Sequence, residues 1–356
     1  MTTPPQKPPQ APTSPPSSPG LETSAPFTRH PLPNGLEVAT VSRAELAHFY
    51  DDIFVKCIYT AHGITLPDEP VVFDVGANIG LFSLFVARGW PRAQVFAFEP
   101  APPIFAALDD NLSRLAPRAR RFNVGVSDQP GEASFTFYPQ ASGMSSFYAD
   151  VEEEKRALKA VLQGEARKGV AEVEQLLEHV DEYLDERLQQ VDYTCRLTTL
   201  KAVLEDHPVP RIDLLKVDVQ KAEEQVLAGL GEEHWPKVRQ LVLEVHDVEG
   251  RCRRLTELLR QRGFQVTAVQ DEYYERSEMY NLYALRPAAP ATDSGRGLQG
   301  AAQRAQRQRQ ALRGRPMKRP ARPRPSGPSS SPGPSDSSHS SGSSAPSTSS
   351  RDGKHE

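Results

Sequence analysis

A short apolar run followed by the sequence FDVGANIG constrains the fold of this chain more than any other feature. The run at 71–73 predicts a buried strand, and LFSLFVARGW at 81–90 predicts a helix. Between them, Gly76 lets the backbone turn tightly beside a ligand, and Gly80 lets the helix begin close to the sheet. This pattern predicts a strand–loop–helix unit that binds a nucleotide-like ligand; a plain turn containing two glycines is the alternative.

Acidic residues after the predicted strands favour the ligand-binding interpretation. Asp74 ends the first strand, where it can hold the loop or accept a hydrogen bond from a ligand amino group. Glu99 follows the second strand, predicted at 94–98, where a carboxylate can accept hydrogen bonds from both hydroxyls of a ribose. Asp128, in NVGVSDQPGE, is placed to meet an adenine amino group, and a simple Ser-Asp turn is the alternative there.

A dinucleotide-dependent oxidoreductase is an alternative function, and the sequence of the same loop can be checked against it. Its fingerprint is G-x-G-x-x-G, and counted from Gly76 the second and third glycine positions hold Asn78 and Leu81. A pyrophosphate therefore loses its usual close approach to the backbone, whereas S-adenosylmethionine has no phosphate to accommodate. We expect S-adenosylmethionine as the cofactor.

The order of predicted elements indicates an α/β fold with a doubly wound, mostly parallel sheet. Further strands are predicted at 121–126, 212–217 and 240–245, with helices at 105–115, 222–230 and 251–262. Strands that alternate with helices form parallel sheets covered on both faces. Two final strands at 263–270 and 280–286 have no helix between them and predict an antiparallel hairpin at one edge. This ending is typical of the Rossmann-like class I methyltransferase sheet.

Composition divides the chain into one domain and two tails. Residues 1–27 are rich in proline, and residues 287–356 are first basic and then rich in serine and proline. Such segments bury too little apolar surface to offset their ordering entropy, so we expect both to be disordered. Residues 28–286 form the predicted domain. Its charged segment at 150–190 predicts a helical insertion, which is a solvated helix, a lid or a homodimer contact.

The remaining composition limits the compartment and the partners. Three widely spaced cysteines, Cys57, Cys195 and Cys252, suit neither a disulfide framework nor a zinc site and favour a reducing compartment. No apolar run approaches the length of a membrane span, so we expect a cytoplasmic protein without membrane contact. The basic run at 304–324 lacks the aromatic residues that stack on single-stranded bases, so nucleic acid is not an expected partner.

Several stretches, taken together, resemble the FkbM-type methyltransferases. They are VVFDVGANIGLFSLF, VFAFEPAPPIFAALDDNL, NVGVSDQPGEASFTFYP, LTTLKAVL and RIDLLKVDVQKAEEQVLAGL. HFYDDIFVKCIYTAHGITLP and SGMSSFYAD resemble members associated with polyketide or nonribosomal peptide assembly. The resemblance implies O-methylation of a small-molecule acceptor, such as a polyketide, peptide or sugar, and a biosynthetic assembly-line protein as a partner. It also implies a cofactor site lined by Asp74, Gly76, Asn78, Gly80 and Glu99.

The chain departs from the family pattern beside the expected active site. The family has Asp-x-Glu-Gly-Ala-Glu after the fourth strand, whereas this chain has Gln220 and Lys221 in place of the acid and the glycine. This change removes a carboxylate. It keeps open a second rival, a degenerate, non-enzymatic binding protein with an RNA-binding tail.

Candidate catalytic residues follow the fourth and fifth strands, because ligands bind at the C-terminal strand ends of open α/β sheets. His246 is the favoured general base, since an imidazole with an ordinary pKa near 6.5 accepts protons around neutral pH. Asp218 is a second base or a substrate positioner, and Lys216 is expected to pair with an acid. A divalent metal held by Asp218, Glu244 and Asp247 is an alternative, but the loose spacing predicts no metal.

Overall fold

The secondary structure is described for residues 25–167, 173, 176–270 and 279–287 of a computed structural model. The strands are β1 (Thr28–Pro31), β2 (Glu37–Thr40), β3 (Val71–Val75), β4 (Gln94–Phe98), β5 (Arg120–Phe122), β6 (Gly125–Val126), β7 (Gly131–Phe137), β8 (Val191–Thr198), β9 (Leu214–Val217), β10 (Gln240–His246), β11 (Gln265–Val269) and β12 (Met279–Leu285). The α-helices are α1 (Arg43–Tyr50), α2 (Leu81–Gly89), α3 (Pro102–Leu115), α4 (Val151–Arg167), α5 (Val180–Arg187), α6 (Leu200–Asp206), α7 (Glu223–Ala228) and α8 (Arg251–Gln261).

The central sheet has the strand order β11-β12-β10-β9-β3-β4-β5. Strands β5, β4, β3, β9 and β10 pair in parallel. β12 is antiparallel to both of its neighbours and lies between β10 and β11. The predicted class I methyltransferase fold, mostly parallel with an antiparallel C-terminal hairpin, is confirmed.

The two faces of the sheet are buried by two separate apolar clusters. Along β3, Val72 belongs to the cluster that includes α2 and α3, whereas Phe73 and Val75 belong to the cluster on the other face. This alternation follows the two-residue period of a strand. Asp74 shares the face of Val72, and its register partner on β9 is Lys216. The strand pattern therefore brings a buried acid and a buried lysine side by side.

The predicted strand at 121–126 is wrong in one respect. The chain forms β5 in the central sheet, leaves it after Phe122, and forms β6 in a second sheet with the order β6-β8-β7. The side-chain amide of Asn123 donates to the carbonyl oxygens of Glu99 and Pro100 at the point where the chain leaves the sheet. A contact of this kind joins distant parts of the chain, and the strand pattern did not indicate it.

The charged segment at 150–190 contains α4 and α5, between β7 and β8. Its apolar residues form a small cluster of their own, which includes Leu162, Val173, Val180 and Leu184. The helices of the described residues are all too short or too polar to cross a bilayer. The predicted tails, 1–27 and 287–356, lie almost entirely outside the described residues, as does the basic run at 304–324.

Candidate cofactor and acceptor site

The loop after β3 passes against the end of β9. The backbone N–H groups of Gly76 and Ala77 donate to the carbonyl oxygen of Phe98, at 3.1 and 2.9 Å. Gly76 has a φ of +74°, and a Cβ atom built on it would lie 1.7 Å from the carbonyl oxygen of Asp218. Only glycine adopts this φ without strain and also leaves room for the carbonyl oxygen of Asp218. Gly80 has a φ of +84° and immediately precedes α2, as the sequence predicted.

Glu99 presents a buried carboxylate beside this loop. Its Oε2 accepts a hydrogen bond from the N–H of Asn78 and its Oε1 accepts one from the N–H of Ala101, each at 3.0 Å. Burial raises the pKa of Glu99 to about 7, although these two hydrogen bonds act in the opposite direction. A carboxylate accepts about four hydrogen bonds, so each oxygen of Glu99 retains the capacity for another donor.

Asp74 holds the loop from beneath. The side chain is fully buried, and its Oδ2 accepts a hydrogen bond of 2.7 Å from the hydroxyl of Ser83 in α2. Lys216 Nζ lies 3.2 Å from Asp74 Oδ1 and donates to the carbonyl oxygen of Gly76 at 2.6 Å. Asp74 was considered either to hold the loop or to bind a ligand amino group, and these contacts support the first role. Lys216 pairs with an acidic residue, as the sequence predicted.

Asp218 is surrounded by three donors. Tyr59 OH donates to its Oδ2 at 2.8 Å, and Lys216 Nζ lies 3.5 Å from the same oxygen. The side-chain amide of Gln220 donates to Asp218 Oδ1 at 3.2 Å and to Glu244 Oε1 at 3.3 Å. Tyr59 lies 159 positions away in the sequence, so no local pattern could have assigned it to this site.

The end of β10 supplies Glu244 and His246. Burial raises the pKa of Glu244, and the nearby charge of Asp218 acts in the same direction. Burial lowers the pKa of His246 to about 4, with the positive charges of Lys221 and Arg251 adding to it. The Nε2 atom of His246 is buried and has no hydrogen-bond partner among the described residues. The imidazole is therefore neutral at pH 7 and able to accept a proton.

Of the three residues considered for a metal, two lie together and the third contacts a different part of the chain. Asp218 and Glu244 are joined by the amide of Gln220, while Asp247 accepts a hydrogen bond from the N–H of Cys252 at the start of α8. Asp128 also lies apart from the network. It is exposed, accepts a hydrogen bond from the Ser127 hydroxyl at 3.0 Å, and has no hydrogen bond or ion pair to that network within the described ranges.

The loop after β9 contains the two residues that depart from the family pattern. Gln220 and Lys221 both have positive φ angles, +50° and +80°. Lys221 occupies the glycine position of the family pattern, so the backbone there keeps the conformation that glycine favours. The ammonium of Lys221 donates to Glu153 Oε2 at 2.9 Å and to Glu154 Oε1 at 3.0 Å, in the first turn of α4. The sequence had not assigned either acid to the site.

Comparisons with known proteins identify the family of the chain. The family described as "Methyltransferase FkbM domain" matches residues 74–266. The 31-O-demethyl-FK506 methyltransferase FkbM of Streptomyces tacrolimicus is 40% identical over 258 residues, which cover 72% of this chain and 96% of that protein. The methyltransferase sdnD of Sordaria araneosa is 34% identical over 249 residues, which cover 67% of this chain and 89% of that protein.

A further relative is much longer than this chain. The AMB antimetabolite synthetase AmbE of Pseudomonas aeruginosa is 45% identical over 263 residues, and these cover 72% of this chain but only 12% of AmbE. The family resemblance that the motifs indicated is confirmed. None of these matches is named as an oxidoreductase or as a non-enzymatic protein. The chain belongs to the FkbM methyltransferase family and is a methyltransferase.

Proposed function

We propose that this methyltransferase transfers the methyl group of S-adenosylmethionine to a hydroxyl group of a small molecule. The observation that carries the proposal is the buried carboxylate of Glu99, which two backbone N–H groups orient beside the Gly76 loop. The names of two relatives, FkbM and the 2-O-methyltransferase NoeI of Sinorhizobium fredii, support oxygen as the acceptor atom. A polyketide, a peptide or a sugar supplies such a hydroxyl.

The residues present fit this cofactor. Glu99 would accept the two ribose hydroxyls with the lone pairs that Asn78 and Ala101 leave free. Gly76 and Gly80 would shape the loop around the cofactor, because both have positive φ angles and their missing Cβ atoms let the loop lie against Asp218 and Leu112. Asp128 is proposed to accept from the adenine amino group. When bound, S-adenosylmethionine supplies an electrophilic methyl group on a sulfonium sulfur.

The chain's own residues would then orient the acceptor and take its proton. His246 Nε2 is proposed to accept the proton of the attacking hydroxyl, because it is neutral and lacks another hydrogen-bond partner in the described part of the chain. Asp218 is proposed to position the acceptor, since Tyr59, Lys216 and Gln220 hold its carboxylate in one place. Alignment of the reacting atoms supplies much of the acceleration in a displacement of this kind.

Cofactor binding is expected to depend on pH through Glu99. The ionised carboxylate accepts the ribose hydroxyls, and because the pKa of Glu99 is raised to about 7, the free protein holds a proton there at lower pH. That proton must leave before the diol binds. We expect the Kd for S-adenosylhomocysteine to be about tenfold larger at pH 6 than at pH 8. Calorimetry at both pH values measures this, and an equal Kd at the two would contradict the assignment.

Turnover is expected to depend on His246. His246→Ala should lower kcat by about 10²- to 10⁴-fold at saturating cofactor, the usual effect of losing a general base. Because burial and the charges of Lys221 and Arg251 lower the pKa of His246 to about 4, with Asp218 and Glu153 opposing, wild-type kcat should stay level from pH 8 to pH 5. Asp218→Asn is the comparison variant. If kcat falls in Asp218→Asn but not in His246→Ala, Asp218 is the general base.

The function itself is tested with a labelled methyl group. The protein is incubated with S-adenosylmethionine carrying a tritiated methyl group and with the small-molecule extract of its host cells. The proposal expects label in a product whose new methyl group is part of a methyl ether. Label on nitrogen or carbon, or no transfer by a protein that binds S-adenosylhomocysteine, would overturn it. Binding of NADH in place of S-adenosylhomocysteine would favour the oxidoreductase.

An acceptor carried by an assembly-line protein is a second candidate. The segment of AmbE that this chain matches belongs to a synthetase, which supports the candidate. The labelling experiment distinguishes the two when it is repeated with a whole-cell extract that keeps its proteins. Label that stays with a protein after gel filtration and is released by mild base indicates a thioester-bound acceptor, whereas label in the small-molecule fraction indicates a free one.

A further inference from the structure

Two anchors fix the segment 146–154 to consecutive residues of the loop after β9. The hydroxyl of Ser146 makes a short hydrogen bond to the carbonyl oxygen of Gln220 and also accepts one from the N–H of Tyr148, at 3.0 Å. Seven and eight residues later, Glu153 and Glu154 hold the ammonium of Lys221. The segment therefore crosses over residues 220–221, immediately after Asp218.

The second anchor is buried, which makes it more than a surface ion pair. Lys221 is 6% exposed and Glu154 is 5% exposed. Burying two charges is costly unless they pair, and a non-glycine residue at a φ of +80° adds backbone strain. The side chain of Lys221 must therefore make contacts that offset both costs. The contacts that do so join the loop after β9 to the first turn of α4.

Apart from the Lys221 contacts, the first turn of α4 is held by Val151, which packs against the cluster of Tyr138 and Leu188. α4 and α5 pack on each other around Leu162 and Leu184, in a cluster separate from the two faces of the central sheet. A second small cluster, around Tyr138 and Leu188, lies at the base of the insertion. Lys221 thus connects a helix pair that has its own core to the loop that carries Asp218.

Tyr148 lies between the two anchors with its ring in solvent. It is 47% exposed, the most exposed large hydrophobic side chain in the described residues, although its backbone is held by Ser146. A single exposed aromatic residue is ordinary on a protein surface. This one belongs to a segment that Ser146 joins to the backbone carbonyl of Gln220, the residue whose side-chain amide contacts both Asp218 and Glu244. A ring in that position is available to an acceptor that approaches Asp218.

We propose that the segment 146–154 is the acceptor-side wall of the active site, that Lys221 holds it in place, and that Tyr148 contacts the acceptor. The inference rests on the proposed function and adds the class of acceptor. An aromatic face favours an acceptor with an apolar or ring surface next to its reacting hydroxyl, such as a sugar ring or a polyketide chain. Lys221 is a positioning residue, because it acts through Glu153 and Glu154.

The anchor is tested by hydrogen exchange without any acceptor. Lys221→Gly removes the ammonium and relieves the strain of the positive φ, so the protein is expected to fold. Amides 151–158 should exchange at least about tenfold faster than in the wild type, while those of β3 and β4 stay unchanged. Lys155→Met is the matched control, since Lys155 pairs with Asp185 within the insertion. Glu153→Gln, which removes the more exposed partner, should give a smaller increase.

Exchange in Lys221→Gly that equals the exchange in Lys155→Met would overturn the role of Lys221. Affinity for S-adenosylhomocysteine should stay within twofold of the wild type in both variants, because the anchor lies outside the cofactor contacts. A large loss of that affinity in Lys221→Gly would also contradict the inference, since it would show that Lys221 supports the cofactor loop instead.

The wall is tested by methyl transfer to the host small-molecule extract, at serial dilutions. Tyr148→Ala should need about tenfold more extract for half-maximal labelling, with kcat changed less than threefold, and Tyr148→Phe should behave as the wild type. Val191→Ala, at the other large exposed hydrophobic position, is the control. Wild-type behaviour of Tyr148→Ala would overturn the role of Tyr148 alone. Absence of transfer by the wild type would overturn the proposed function and this inference together.

Discussion

Replacing Glu99 with alanine is expected to weaken binding of S-adenosylhomocysteine by at least about 100-fold. The variant loses the acceptor of two ribose hydroxyls, and a hydrogen bond to a charged group contributes about 1.5–3 kcal/mol. It also leaves the N–H groups of Asn78 and Ala101 without their acceptor, so the Gly76 loop loses a fixed contact. Isothermal titration calorimetry at pH 8, where Glu99 is ionised in the free protein, measures the effect.

Three control variants separate binding from folding. Glu99→Gln keeps the shape of the side chain and should still lose most of the affinity, without the pH dependence. Glu69→Ala removes an exposed acid that pairs with Arg92 and should change nothing. Asp128→Ala tests the adenine contact and should raise the Kd for S-adenosylhomocysteine by no more than about tenfold. If Glu99→Ala binds within threefold of the wild type, the ribose assignment is wrong.

Replacing Gly76 with alanine is expected to destabilise the fold by more than about 4 kcal/mol, a size reserved for severe clashes. The new Cβ would lie 1.7 Å from the carbonyl oxygen of Asp218, and that neighbour is backbone that cannot rotate away. β3 and β9 are adjacent central strands, so separating them there disturbs both buried faces. For a domain of this size, the loss corresponds to a fall in Tm of about 10 °C or more.

The chain contains a glycine series that isolates the clash. Gly131 has an ordinary φ and open space around its Cβ position, so Gly131→Ala should leave Tm unchanged. Gly35 has a φ of +82° and the same open space, so Gly35→Ala measures the strain alone, at about 1–2 kcal/mol. Differential scanning fluorimetry of the three variants gives the comparison. A similar Tm for Gly35→Ala and Gly76→Ala would show that the loop moves to accommodate the methyl group.

The sequence predicted the fold and the loop because their causes are local. Strand period, helix period and glycine position are properties of neighbouring residues, and they placed Gly76 and Glu99 correctly after β3 and β4 and Gly80 before α2. The antiparallel ending was visible as two strands without a helix between them. The position of β12 between β10 and β11, by contrast, depends on pairing between distant strands.

The contacts that tune the site are not local, and the sequence did not indicate them. Tyr59 reaches Asp218, and Lys221 reaches Glu153 and Glu154, across 159, 68 and 67 positions. The pKa of His246 was expected to be ordinary, but burial and the positive charge of Lys221 lower it. Burial and charge at one atom depend on the assembled structure, so residue type alone cannot supply them.

The position of β12 also has a consequence for synthesis on the ribosome. β12 pairs along its whole length with β10 on one side and over residues 281–285 with β11 on the other, yet it is the last strand of the sheet to leave the ribosome. Until then β10 has an open edge of unpaired backbone groups, which invites pairing with another chain. The nascent chain is therefore most exposed to misassembly between the emergence of β10 and that of residue 285.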